Sequence, residues 1–513
     1  MQRRREKTVK EDTIPYHMPY HTTVDVHKPS HYPYHTMNSS ASKTAVFVCT
    51  HHSGHINPIT SLVSVFKKQG WNVHFFSSPQ RQAKIENTGA TFHRDHSKFK
   101  SLQEAVVAAI THRFQLPLTA NVEGEFLFEQ ILPATVEFLD DGFVERVQNL
   151  SPDVLVCDVS SLWGVLTAQI LKVPLITSCS CTLFDPASLE PIFGGLRDLP
   201  ASQKAICWIQ QTYGIEYDAL NSYMNESEFL ICWSIPSFQP KCRRNDAKVH
   251  FYGAALTETI HKDIEQAASV DRELGENSVV KFIEKGRRET AKIIYCTLGT
   301  VVGQEKWTLV GKKDGDMVTD FYQQVIQCFG DRSDYRVILS IGPNRKMEDL
   351  PDLPGNFFVS HFVPQLVVLN MVDAFITHCG NNGVHEAFFF GCPMLCVPVF
   401  GDQHPNAAMI EEMGAGVQIA SPYAPAPSPN LDHITSEKLC AKLEEIIVHR
   451  KEEIQSSCQA IQAEMAKQHA LFHSQGFVEM ENFIRATTAV ASLDDQDALQ
   501  PVSPEELVKL ASA

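Results

Sequence analysis

From Thr44 onward the chain repeats one pattern, a short β-rich apolar run followed by a stretch with helical spacing. Thr44–Thr50 (TAVFVCT), Trp71–Ser77 (WNVHFFS), Thr91–His93, Asp153–Cys157 (DVLVC) and Pro174–Cys179 are the first set of runs. Between them, Pro58–Gln69 and a stretch near Leu162–Leu171 carry helical spacing, and Gly70 stands where a helix C-cap belongs. Strands separated by helices cannot be hairpins. They predict βαβ units and a parallel sheet.

The pattern pauses and restarts. Residues 255–288 are charged and lack strand runs, which reads as a linker. Lys292–Thr297 (KIIYCT), Arg336–Ile341 (RVILSI), Phe357–Ser360, Asp373–Thr377 (DAFIT), Met394–Pro398 and Gly416–Ile419 then form a second set. The expected fold is α/β, with two doubly wound Rossmann-like domains, residues 44–254 and 289–470, facing across a cleft. Parallel sheets bind ligands beyond the carboxyl ends of their strands, so chemistry is expected on both walls. Residues 471–486 read as a final helix, and 487–513 as an acidic, disordered tail. Residues 1–43 hold five of the 22 histidines and three Pro-Tyr-His copies, without apolar periodicity. Their spacing fits no metal-ligand pattern, so they read as a disordered leader.

Composition removes several function classes. The formal net charge of −16 gives no reason to expect nucleic-acid or anionic-membrane binding. No apolar run reaches the roughly 18 residues of a membrane span; the closest, Phe388 to Phe400, is broken by Gly391, Pro393 and Pro398. The charged N-terminus is not a secretory signal. Among 14 cysteines there is no C-x-x-C pair, and Cys49, Cys157, Cys232, Cys296 and Cys396 sit in strand-like runs. Buried reduced thiols in a cytoplasmic protein are expected.

The first strand leads into Thr50-His51-His52-Ser53-Gly54-His55-Ile56-Asn57-Pro58. Asn57 is suited to cap the following helix with Pro58 at its first position, which leaves His55 on the loop facing the cleft. Imidazole suits proton abstraction at neutral pH, and Asp158, ending a later strand, is placed to orient it. A zinc site from His51, His52, His55 and Asp158 is the alternative, but a tight turn rarely points three imidazoles at one centre. A purely structural His55, or Asp158 as a simple cap, is also open.

The second set is richest over FVPQLVVLNMVDAFITHCGNNGVHEAFFFGCPMLCVPVFGDQHPN, residues 362–406. A strand ends at His378, and Cys379-Gly380-Asn381-Asn382-Gly383 leads into a helix. Glycines and the free N–H groups of a first helical turn suit a diphosphate. Glu386 is suited to ribose hydroxyls, and Asp402 with Gln403 to a sugar. Taken singly, each has an ordinary structural reading as turn, cap or solvated face; together, at adjacent strand ends, they point to a nucleotide sugar.

This stretch resembles the signature of the UDP-glycosyltransferases, glycosyltransferase family one. Val363-Pro364-Gln365, Thr377-His378-Cys379-Gly380, Asn382, Glu386, Gly391, Pro393, Pro398, Asp402-Gln403 and Asn406 fall in family order and spacing. The resemblance implies a GT-B architecture and position-specific roles. Phe362 takes the place of an aromatic that stacks on uracil, with Val363 beside it and Gln365 near base and ribose. His378, Gly380, Asn382 and Gly383 hold the diphosphate, Glu386 the ribose, and Asp402 with Gln403 the transferred sugar. Upstream, Tyr295–Thr300 (YCTLGT) resembles a family strand-to-loop segment, from which Thr300 reaches the diphosphate. Gly54–Pro58 and Cys157-Asp158 resemble the family's catalytic-histidine loop and its partner carboxylate. Gly476-Phe477-Val478 with Phe483-Ile484 resembles the helix that crosses back onto the first domain. Two departures stand out: Gly383 where many members have Ser, and Asn381 where Trp or Met is frequent.

The resemblance implies transfer of a sugar, glucose first among candidates, from a UDP-sugar to a hydroxyl of a lipophilic small molecule, with inversion and no metal or further cofactor. Lacking the membrane anchor of animal-type members, the chain is more similar to soluble ones. Phe114–Phe128 and Leu183–Arg197 are candidate acceptor loops, or parts of the domain's own core. Two other classes are a silent nucleotide-sugar binder, which His55 and Asp158 argue against, and a nicotinamide oxidoreductase, which would need G-x-G-x-x-G where the first turn reads HHSGHINP.

Overall fold

A computed structural model describes residues 42–50, 52–99, 102–117, 128–187, 194–220, 227–299, 302, 317–330, 332–343, 345–399, 401–419 and 434–498. Residues 1–41 of the His-rich leader, Thr300 and residues 499–513 of the tail lie outside them.

Seven strands form the first sheet: β1 Thr44–Val48, β2 Asn72–Ser77, β3 Thr91–Arg94, β4 Val154–Asp158, β5 Leu175–Cys179, β6 Phe229–Cys232 and β7 Val249–Phe251. Six form the second: β8 Lys292–Thr297, β9 Tyr335–Ser340, β10 Phe357–Ser360, β11 Ala374–Thr377, β12 Met394–Cys396 and β13 Gly416–Gln418. Their orders are β3-β2-β1-β4-β5-β6-β7 and β10-β9-β8-β11-β12-β13. Every pairing in both is parallel. The central strands are near-continuous apolar runs because helices cover both faces of each sheet; Ala45 to Val48 and Ile293 to Cys296 are all buried.

The order of each sheet reverses at one place, between β1 and β4 in the first and between β8 and β11 in the second. At such a switch point the connections leave in opposite directions and open a crevice at the carboxyl ends. Val48 pairs with Cys157, and Thr297 with Thr377. The residues that follow these four strands therefore line the two crevices.

Several local expectations are corrected. The first helix spans Ser53–Lys68 rather than starting at Pro58. The N–H groups of both His55 and Ile56 donate to His52 O, at 3.0 and 2.9 Å, so the helix is already wound five residues earlier than the proline suggests. His55 is thus in the first helical turn, not on a loop. Residues 255–288 form helices Ile260–Arg272 and Val279–Arg288, whose Ile260, Ile264, Val280 and Ile283 are buried in the second domain's core. Their apolar residues recur at helical spacing amid charge, so the segment packs rather than merely connecting. The final helix, Phe477–Ala498, runs on through residues read as tail. Its N-terminal half lies on the first sheet's core: Phe477 packs edge-on to Phe66 at 5.3 Å, Phe483 meets Phe229 at 5.3 Å, and Tyr252 donates to Glu479 at 2.8 Å.

The expectation of reduced thiols fails at one pair. Cys328 and Cys440 form a disulfide between helices Met317–Phe329 and Ser436–Glu444, with Cα atoms 6.0 Å apart. The two helices pack side by side, a contact that a sequence separation of 112 conceals. The other twelve cysteines are free. Among the described residues, no helix is long and apolar enough to cross a membrane.

Candidate active site

At the first switch point the helix Ser53–Lys68 carries His55 over the end of β4. Its Nδ1 lies 3.0 and 3.1 Å from the two carboxylate oxygens of Asp158. The His55 side chain is 20 % exposed and that of Asp158 fully buried, so a ligand reaches the imidazole but not its partner. An ionised carboxylate only accepts, so Nδ1 carries the proton and Nε2 is left as the acceptor. Asp158 is held in turn by Ser160, which donates from its N–H at 2.9 Å and from its hydroxyl. Ser180, just past β5, places Oγ 3.2 Å from the same Nδ1. Burial alone would pull the pKa of His55 down, but the charge and hydrogen bond of Asp158 outweigh it, and the net shift is upward from 6.5. The paired carboxylate makes a histidine base stronger.

His52 and His55 have ring centroids 6.4 Å apart at 71° to one another. Nδ1 of His55 is committed to Asp158, and His51 lies outside the described residues. Among the described residues no group of three or more His, Cys, Asp or Glu side chains is gathered as metal ligands are.

At the second switch point, Thr377 ends β11 and the chain turns through His378, Cys379 and Gly380 into helix Asn381–Phe390. Cys379 takes the left-handed backbone conformation at φ 66°, uncommon for a residue with a Cβ. The His378 ring is wedged between Gly299 and Gly380. A Cβ on Gly299 would stand 2.6 Å from Nε2, and one on Gly380 3.0 Å from Cε1. Burial lowers the pKa of His378 to about 4, so it is neutral, and its Nδ1 is buried without a hydrogen-bond partner. A buried orphan nitrogen beside the N–H groups of a helix start fits an anion better than an apolar core. Gly383 has ample room: a Cβ there would meet nothing closer than 3.8 Å.

Gln365, at the start of helix Gln365–Leu369, links two other groups. Tyr295 donates to its Oε1 at 3.0 Å, and its Nε2 donates to Glu386 at 2.5 Å. Burial raises Glu386 to about 7 although Gln365 works the other way. Phe362 is 63 % exposed, whereas neighbouring Val363 is packed against the core. An aromatic left in water beside a polar cluster is the kind of surface a planar ligand covers. Gln403 is buried and accepts from Val399 N–H at 2.9 Å, which shapes the loop after β12. Asp402 accepts from Asn406 at 3.3 Å.

The two crevices face one another. Pro58 has no N–H, so Gly54 O loses its usual helical donor. Asn382 supplies the replacement from the other domain: its Nδ2 donates to Gly54 O at 3.1 Å. His55 is one residue beyond Gly54, and His378 four residues before Asn382. The carboxylate of Asp402 also raises the pKa of His55 across the gap. Thr182 donates to Asn406, whose Nδ2 also donates to Cys379 O at 3.0 Å. His385, by Nε2, lies 2.7 Å from Ser234 Oγ.

With this geometry in hand, residues 347–458 match the family model described as UDP-glucoronosyl and UDP-glucosyl transferase. An uncharacterised UDP-glucosyltransferase of Bacillus subtilis, YojK, is 24 % identical over 376 residues, 71 % of this chain and 82 % of its own. The NDP-glycosyltransferase YjiC of the same organism is 25 % identical over 371 residues, again 71 % and 82 %. The crystal structure of the calicheamicin glycosyltransferase CalG4 superposes with a TM-score of 0.63 at 18 % identity, over 87 % of this chain and 99 % of that one. The chain is thus similar to the UDP-glycosyltransferases over most of its length, and residues 347–458 match their family model. It has their GT-B fold, and it is a UDP-dependent hexosyltransferase.

Sequence reasoning missed four supports of this glycosyltransferase site. Ser160 and Ser180 carried no motif signal, yet both follow strands that flank or end beside Asp158, and strand order alone points to them. Tyr295 looked like one more apolar strand residue. Gly299 was one residue of a strand-to-loop segment, and only the imidazole packed on it shows what the missing side chain makes room for. Of the two acceptor-loop candidates, Phe114 and Leu183 are buried in the first domain's core clusters. Residues 118–127 and 188–193 of those loops lie outside the described residues.

Proposed function

We propose that this UDP-glycosyltransferase moves a hexose, glucose first among candidates, from its UDP-sugar to a hydroxyl of a small lipophilic acceptor, with inversion. The observation that carries the reading is the reachable imidazole of His55, oriented by buried Asp158 and facing the turn at His378. In this step the acceptor oxygen attacks the anomeric carbon while Nε2 of His55 takes its proton. Asp158 holds the tautomer and stabilises the imidazolium that forms. The bond to UDP breaks, and the departing diphosphate is met by N–H groups at Gly380, Asn382 and Gly383 and by neutral His378. Asn382 then exchanges its contact with Gly54 for the phosphate. Glu386 and Gln365 take the ribose, Phe362 stacks on the base, and Asp402 with Gln403 orients the sugar; Thr300 adds a donor to the diphosphate. No metal or further cofactor is used. The free state of twelve cysteines supports a cytoplasmic location.

The test is product analysis. UDP-α-glucose incubated with a panel of lipophilic phenols is expected to give a β-glucoside, read from the anomeric proton coupling by NMR. An α-glucoside would overturn the single displacement.

The departure at Gly383 yields a further expectation. A serine hydroxyl there fits the 3.8 Å space beside Gln365 and adds a phosphate donor. Gly383→Ser is expected to fold normally and to bind UDP about three- to tenfold more tightly, as one extra charge-assisted hydrogen bond would give. Calorimetric titration with UDP measures it.

A further inference from the structure

Beside the proposed base lies a pair of thiols that this chemistry does not use. Cys179 ends β5 and Cys181 follows two residues later, with Ser180 between them. Their sulfurs are 3.6 Å apart, and the Cys179 thiol donates to Cys181 O at 3.3 Å, so the chain is already bent to bring the two together. Cys179 is buried and Cys181 half-buried. Ser180 Oγ is the group 3.2 Å from His55 Nδ1. The carboxylates of both Asp402 and Asp158 act on Cys181, which places the pair at the cleft rather than deep in the sheet.

The geometry points to a dithiol switch: oxidation of Cys179 and Cys181 to an intrachain disulfide draws Ser180 off His55 and shuts the transferase down. The inference rests on His55 being the base. A disulfide needs sulfurs about 2.0 Å apart, so they must close by roughly 1.5 Å. One residue spans the ring that forms, and that residue cannot keep its present place. The step removes one hydrogen from each thiol and forms one S–S bond; an azo oxidant of the diamide class takes up both hydrogens and becomes the hydrazine. A reductant such as dithiothreitol reverses it. Contact with Cys179, then burial, pushes the Cys181 thiol well above its usual range. Cys181 is therefore protonated at neutral pH and reacts faster as pH rises, since the thiolate is the reacting form.

The test uses the full chain. Diamide treatment followed by peptide mapping reads the bond without turnover, and is expected to show a Cys179–Cys181 link that dithiothreitol removes. Phenylarsine oxide, which bridges two neighbouring thiols with loss of water, is expected to bind the reduced protein and not the oxidised one. UDP release from UDP-glucose with 4-methylumbelliferone is expected to fall about tenfold or more on oxidation. It should stay unchanged in both Cys181→Ser and Cys179→Ser; two variants guard against one that misfolds. An NMR titration of His55 is expected to shift on oxidation, and it needs no acceptor. Absence of the Cys179–Cys181 link, or a link that leaves the His55 titration unmoved, overturns the inference. Absence of UDP release by the reduced wild type would count against the proposed transfer instead, while the mapping and the His55 titration still decide the dithiol.

Discussion

His55→Ala is expected to lose transfer by about a thousandfold while binding UDP within about threefold of wild type. The reasoning is local. Proton removal by a positioned side chain contributes typically 10²- to 10⁴-fold, and a thousandfold corresponds to about 4 kcal/mol of barrier. The His55 side chain makes its hydrogen bonds with Asp158 and Ser180, all within the first domain. The contact that Asn382 makes is with the Gly54 carbonyl, which alanine at 55 leaves in place. Donor affinity and turnover should therefore separate, and calorimetry with UDP alongside initial rates reads both. A parallel loss of UDP affinity would mean that His55 helps hold the donor, and unimpaired transfer would remove it as the base.

The second large effect is expected at the glycines that cradle His378. Gly380 has an ordinary helix-entry backbone, φ −64°, so alanine there adds only a collision with the imidazole. Gly299 sits at φ 75°, so alanine adds the collision and roughly 1–2 kcal/mol of backbone strain besides. Both variants should bind UDP at least about thirtyfold more weakly, a difference of roughly 2 kcal/mol. Both should lose stability in urea, Gly299→Ala the more because it adds the backbone strain. The pairing with His378 can be isolated. In a His378→Ala background the ring is gone, and Gly380→Ala should then cost little further affinity, because neighbours that act as a unit are not additive. Full additivity would show that the glycine serves the backbone turn and not the imidazole.

Much of the fold was legible because each strand in a parallel sheet is an apolar run and each crossover has its own period. The order of the strands was not legible; in the folded sheets it puts switch points at β1–β4 and β8–β11, which bring His55 to Asp158 and Gly299 to His378. Legibility failed where a residue's usual signal was overridden. Pro58 announces a helix start, yet sits inside a helix because Asn382 takes the carbonyl that the proline leaves without a donor. The helices at 260–272 and 279–288 were hidden by their charge, although Ile260, Ile264 and Ile283 mark a buried stripe. The disulfide between Cys328 and Cys440 depends on helix packing, which spacing does not encode. Ser180 and Cys181 sit just past a strand end with no motif to flag them, and it is the pairing of that strand with β4 that sets Ser180 against the base.

The pH dependence of kcat/KM tests the central claim most directly. A base must be neutral to act, and Asp158 holds the pKa of His55 above 6.5. The rate is therefore expected to rise with pH through a midpoint above 6.5 and then level off. In Asp158→Asn the carboxylate charge is gone, so the midpoint should move to lower pH while the plateau falls by about a thousandfold or more, as in other pairs where the orienting acid becomes an amide. A limb that stays where it was in Asp158→Asn would mean that some other group takes the acceptor proton.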